Sequence, residues 1–166
     1  PLPQPAVVAE LRDLGAGFDV ATSGEIRLVR AAGVKADRCI HTHPIKTDAE
    51  IRAALRYGMR NFVVDNPDEL RKFRRHRSRA EVLLRLSFRD PTAVVDLSRK
   101  FGCEPAAVVP MLELARSLGV SVRGLSFHVG SQVAEARKYV EAIGVCAELI
   151  EQARASGLAD LDLLDI

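Results

Sequence analysis

Short apolar runs alternate with amphipathic runs from one end of this chain to the other, and few folds accommodate that alternation. Gly17-Phe18-Asp19-Val20-Ala21 precedes helical periodicity over about residues 23–32. Residues 38–42 precede a helix over about 48–57, and residues 61–65 precede one over about 67–75. Residues 82–86 form the next apolar run, followed by a polar segment and a helix over about 105–118. A strand from Val120 to His128 leads into a helix over about 134–156, and residues 161–166 form a last strand. Strands separated by helices imply parallel pairing through right-handed crossovers. The expected fold is therefore α/β. A partial (β/α)8 TIM-type barrel is favoured over an open doubly wound sheet, although periodicity alone accommodates both.

Local signals agree with these boundaries. Gly33, Gly58, Gly119 and Gly157 each follow a helical run, where a left-handed terminating residue is wanted. Thr47-Asp48-Ala49-Glu50 has the spacing of a capping box, and Thr22-Ser23-Gly24-Glu25 repeats it. Asn66-Pro67-Asp68-Glu69 offers a capping amide, a proline at the first turn and two acids near the positive end of the helix.

The chain has 166 residues, 48% hydrophobic and 28% charged, enough for one domain with a substantial core. No apolar stretch approaches the ~20 residues of a membrane helix, and no charged start leads into an apolar signal core, so the expected setting is cytoplasmic. Cys39, Cys103 and Cys146 are scattered and lack metal-ligand spacing, which fits a reducing compartment and predicts no metal site. Cys39 and Cys146 read as small core residues. A net charge of +2 gives no reason to invoke nucleic acid or a membrane surface. The dense cluster from Arg71 to Arg79 reads as a solvated helix end, with cations opposing the C-terminal dipole.

Chemistry concentrates in Leu125-Ser126-Phe127-His128-Val129-Gly130-Ser131. In a parallel β/α protein the ends of the strands carry the active site. Here one strand delivers a histidine, a close-approach glycine and a hydroxyl together. Arg85, inside Leu83-Leu84-Arg85-Leu86, is a guanidinium on a buried strand and needs an anionic or multiple-acceptor partner. Other residues have plain structural readings. Asp19 serves as a helix-start acceptor, Glu25 as the third member of a capping box, His128 as a hydrogen-bonded core histidine, and Lys46 as a surface residue. The proline-rich start without a preceding strand, and the finish inside Leu163-Leu164-Asp165-Ile166, lead to the expectation of a single partial domain from a longer protein.

Four motifs occur in order: Gly17-Phe18-Asp19-Val20-Ala21-Thr22-Ser23-Gly24-Glu25-Ile26, Leu97-Ser98-Arg99-Lys100-Phe101-Gly102, Phe127-His128-Val129-Gly130-Ser131 and Leu163-Leu164-Asp165-Ile166. Their order and spacing resemble the pyridoxal 5′-phosphate (PLP)-dependent ornithine/diaminopimelate/arginine decarboxylases of alanine-racemase-like fold, closest to the ornithine decarboxylases. The resemblance implies that His128 stacks on the cofactor ring and Ser131 binds its phosphate. It implies that Arg85 lies near the phenolic oxygen and that Asp19 and Glu25 stand just outside the cofactor's direct contacts. It also implies a homodimer in the complete protein and an amino-acid substrate.

The Schiff-base lysine of that family belongs on a strand before residue 1, and none of Lys35, Lys46, Lys72, Lys100 or Lys138 takes its place. The first barrel strand, the final strands, the glycine-rich phosphate loop and a later β-domain are likewise expected outside these residues. His43 stands where relatives commonly carry asparagine. The expected function is the barrel part of a decarboxylase of basic amino acids, with ornithine to putrescine ahead of diaminopimelate, lysine or carboxynorspermidine. The isolated chain is expected to be inactive. Two other readings are a non-catalytic binding protein resembling antizyme inhibitor, with a partner surface between Lys46 and Leu70, and an inactive fragment.

Overall fold

The structure is a computed structural model that describes residues 3–88, 100–130, 133 and 135–166. Among the described residues, α1 (Pro5–Asp13) is followed by β1 (Phe18–Val20), α2 (Ser23–Ala31), β2 (Cys39–His41), α3 (Asp48–Tyr57) and β3 (Asn61–Val64). Then come α4 (Pro67–Lys72), β4 (Glu81–Leu86), α5 (Val108–Leu118), β5 (Ser121–Phe127), α6 (Ala136–Ala155) and β6 (Leu163–Asp165). The strands form one parallel six-stranded sheet in sequence order. Five helices, α2 to α6, each connect one strand to the next, which gives that order and matches the expected alternation.

Register sorts the side chains into two faces. Phe62, Val64, Val82, Leu84, Leu86, Leu125 and Phe127 face the helices and pack with Ile51, Leu55, Leu70, Leu112 and Cys146. The other face carries Asp19 opposite Ile40, Val63 opposite Leu83, and Arg85 opposite Ser126, which in turn is opposite Asp165. Gly17, Phe18 and Asp19, at and beside β1, and Leu163–Asp165 of β6 line one cavity of about 320 Å³ with Ile40 and Asn61. The sheet therefore curls until its two ends face each other, as a half-barrel does.

Helix boundaries follow their local chemistry. Thr47 completes a full capping box, accepting from the Glu50 amide while its own amide donates to the Glu50 carboxylate at 2.8 Å. Ile51, Ala54 and Leu55 then bury one stripe of α3 against the sheet. The helix ends at Gly58, whose φ of 104° a side chain would strain. The run expected as one helix over 67–75 divides into α4 and a 3-10 turn, Phe73–His76, because Phe73 turns inward and is fully buried. A β-bulge lies between the pairs Val82–Val122 and Leu83–Gly124, and it leaves Arg123 as the extra residue. At Gly124, β6 comes so close that a Cβ would stand 1.9 Å from the Leu163 carbonyl oxygen.

Lys46 corrects a sequence expectation. It is 1% exposed and lies inside the protein, so it belongs to no surface. The exposed residues between 46 and 70 include Asp48, Arg52, Arg56 and Arg60 instead.

Candidate active site

The C-terminal ends of β1 to β6 bring together the polar residues that interrupt the apolar strands. His128 follows β5 and is exposed. The Gly130 amide donates to its Nδ1 at 2.9 Å. A backbone N–H can only donate, so Nδ1 presents its lone pair and the ring proton sits on Nε2. The edge of the imidazole is thereby fixed while the ring remains exposed. Gly130 has a φ of 115°, a conformation that glycine adopts without strain.

Two residues before His128, Ser126 is buried and its Oγ donates to Asp165 Oδ2 at 2.8 Å. Across β4, Arg85 occupies the same register row. Its guanidinium lies 5.6 Å from the centre of the Phe101 ring. Burial lowers the proton affinity of Arg85, and the longer-range charges of Asp65 and Asp165 oppose that shift. Asp19 lies on β1, across the curl from β6. Its carboxyl is held above the ordinary carboxylate range, first by desolvation and then by the Asp165 charge. The inner face thus presents a guanidinium, a hydroxyl-anchored carboxylate and a second carboxylate whose ionisation the first one opposes.

The segment after residues 89–99 returns to this face. Cys103 forms a parallel bridge with Leu86, its amide donating to the Arg85 carbonyl and its carbonyl accepting from Ser87, both at 2.9 Å. Asp65, just past β3, accepts from the Gly102 amide at 2.9 Å. Phe101 then stacks against Arg85, Lys100 and the edge of His43, the last at 5.4 Å.

The sequence-expected residues divide accordingly. Arg85 and Asp19 lie on the inner face, and His128 continues the strand that carries Ser126. Glu25 sits in the turn after β1, where its carboxylate accepts from the Ala21 amide at 2.7 Å and from Thr22 Oγ1 at 3.2 Å, so its contacts fasten that turn. Ser131, Leu97, Ser98 and Arg99 lie outside the described residues. Sequence reasoning passed over Asp65, Ser126 and Asp165. Ser126 and His128 share the period-2 face of one strand, and that spacing was the available signal.

The cysteines offer no nucleophile here. Burial pushes the thiols of Cys39, Cys103 and Cys146 up to about 11. Among the described residues no group of three or more His, Cys, Asp or Glu is arranged to hold a metal, and no helix is long and apolar enough to cross a membrane.

A family model described as pyridoxal-dependent decarboxylase, pyridoxal binding domain, matches residues 2–166. The solved structure of a lysine/ornithine decarboxylase complexed with cadaverine from Vibrio vulnificus is 50% identical, with a TM-score of 0.92 over 100% of this chain and 43% of that one. A lysine/ornithine decarboxylase of Selenomonas ruminantium is 36% identical over 97% of this chain and 42% of its own length. Antizyme inhibitor 2 of Xenopus laevis is 38% identical over 96% of this chain and 35% of its own length. The chain spans about two fifths of the length of these relatives.

Proposed function

We propose, from the premise that this chain belongs to the pyridoxal-dependent decarboxylase family through its pyridoxal-binding domain, that it is the barrel part of a PLP-dependent decarboxylase of basic amino acids. The observation that carries the reading is His128, an exposed imidazole whose edge is pinned at 2.9 Å by the Gly130 amide, at the end of the strand whose Ser126 shares a row with Arg85. These residues fit a flat, anionic, nitrogen-containing ring. A fixed imidazole can stack on it, a guanidinium with no carboxylate in direct contact among the described residues can take an anionic oxygen, and two carboxylates can orient donors around it.

When bound, PLP supplies the electron sink that accepts the electrons left behind as carbon dioxide departs. The chain's own residues hold and orient. His128 covers one ring face and excludes water from it. Arg85 binds the phenolic oxygen, and Phe101 covers the guanidinium, which strengthens that contact by excluding solvent. Ser131 binds the phosphate. Asp19 and Asp165 place negative charge on the inner face, where an amino group is attracted, while Glu25 keeps the turn beside Asp19 in shape. None of Lys35, Lys46, Lys72, Lys100 and Lys138 is assigned to bear the cofactor, and the 166-residue chain alone is expected to be inactive.

Ornithine to putrescine is the main reading, placing the protein in polyamine biosynthesis as a cytoplasmic homodimer. Decarboxylation of lysine, diaminopimelate or carboxynorspermidine is the alternative. The antizyme inhibitor relative supports a second reading, a non-catalytic protein of the same fold. The test is carbon dioxide release by the full-length, PLP-loaded protein from ornithine, lysine and diaminopimelate in parallel. Release fastest from ornithine is expected. PLP binding without release from any of the three favours the non-catalytic reading.

A further inference from the structure

Lys46 belongs with Phe62 and Phe73 among the largest fully buried side chains of the described residues. Its Nζ donates to the His43 carbonyl at 2.7 Å, to the Pro44 carbonyl at 2.9 Å and to the Val63 carbonyl. An ammonium has three N–H donors, and all three are used on backbone oxygens. No carboxylate pairs directly with it among the described residues. Glu69 instead accepts from the Lys46 amide at 3.1 Å and pairs with Lys72, which donates to the Lys46 carbonyl at 2.8 Å.

A charge in this position is expensive to bury. Burial lowers its proton affinity to about 8; Glu69, Asp65 and Glu50 oppose the shift and Lys72 adds to it. A methylene chain would fill the same volume without a charge to desolvate. What the ammonium adds is geometry, because two of its acceptors belong to the turn after β2 and the third to β3.

Both ends of that tie lead to Arg85. From the turn, His43 meets the Phe101 ring edge-on at 5.4 Å, and Phe101 lies against the Arg85 guanidinium at 5.6 Å. From β3, Asp65 accepts from the Gly102 amide at 2.9 Å. Gly102 has a φ of 96°, and a Cβ there would stand 2.7 Å from the Leu86 carbonyl. The segment holding Phe101 is therefore clamped between β3 and β4 and has little room to adjust by itself.

We propose that Lys46 is a positioning residue of the active face: by tying the turn after β2 to β3 it sets His43 and Asp65 against Phe101 and Gly102, and through Phe101 it sets the Arg85 guanidinium. Its relevance to the cofactor rests on the function proposed above. The test uses the full-length protein carrying Lys46→Met, which keeps the stem and removes the donors, or His43→Ala, which cuts the relay beyond Lys46. Hydrogen exchange of the Gly102 and Cys103 amides is measured without cofactor, and PLP affinity is measured by titration.

Lys46→Met is expected to lower protection at both amides and to weaken PLP binding about 10-fold, and His43→Ala to do so about 3-fold. If Lys46→Met disturbs only residues 43–46 and β3, leaving both amides protected and PLP affinity unchanged, the proposal is overturned. If Lys46→Met fails to fold, His43→Ala decides: unchanged protection and affinity overturn the relay, and a loss of both upholds it. Wild-type protein that binds no PLP would sink the cofactor reading, while the exchange data would still decide whether Lys46 positions the segment.

Discussion

His41 is fully buried at the end of β2, and neither of its ring nitrogens finds a hydrogen-bond partner among the described residues. Burial, with Lys46 nearby, pushes its pKa from the ordinary 6.5 down to about 4. Below pH 6.5 the unfolded chain therefore binds a proton that the folded chain refuses. Stability from this group is complete above 6.5 and is lost as pH falls toward 4, by roughly 3 kcal/mol over that window. Denaturation midpoints across that range should drop for the wild type and drop less for His41→Leu. Equal slopes for the two proteins would show that His41 does not govern the acid limb. Lys46 gives the complementary lesson at the same scale. A lysine between Ile45 and Thr47 reads as a surface residue, because its burial depends on carbonyls of residues 43, 44 and 63 that the sequence does not bring together. Cys39 and Cys146 were legible as core residues because their neighbours are apolar.

At the scale of elements, contacts within one turn of chain were readable and contacts across the sheet were not. The capping box at Thr47 and Glu50 and the left-handed ends at Gly33, Gly58, Gly119 and Gly157 stand where spacing put them. At Thr22 the reciprocal arm reaches one residue further back, to the Ala21 amide, which ties α2 to the end of β1. By contrast, Ser126 and Asp165 are separated by 39 residues, and only the register of β5 against β6 brings them to 2.8 Å. That register depends on Gly124. Gly124→Ala would drive a methyl into the Leu163 carbonyl, displacing β6 and destabilising the sheet by about 3 kcal/mol. Thermal unfolding of the full-length variant should show the loss, and an unchanged midpoint would mean that β6 does not need this close approach.

The whole molecule is electrically polarised along the strands. Each of the six described helices carries a basic residue in its last turn, from Arg12 and Arg30 through Arg56, Arg71 and Arg116 to Arg154. Because the strands are parallel, those helix ends gather at the edge opposite the candidate site, where cations complement the dipoles. The cluster from Arg71 to Arg79 belongs to that edge: Arg74, Arg75, Arg77 and Arg79 are exposed, and Arg77 lies against the C-terminal glycine of α5, Gly119. Acidic residues occupy the first turns of α2, α3 and α4 on the site's side, and on the inner face the charges of Asp65 and Asp165 act on Arg85. Among the described residues, Arg85 is the arginine this face offers to an anionic ring oxygen, beside Phe101 and Lys100. The direct measurement is the intact mass of the full-length protein before and after incubation with PLP and borohydride reduction, with the modified lysine located by peptide mapping. One pyridoxyl group per chain, on a lysine outside these 166 residues, is the predicted result. No specific adduct, or an adduct on Lys35, Lys46, Lys72, Lys100 or Lys138, would contradict the account.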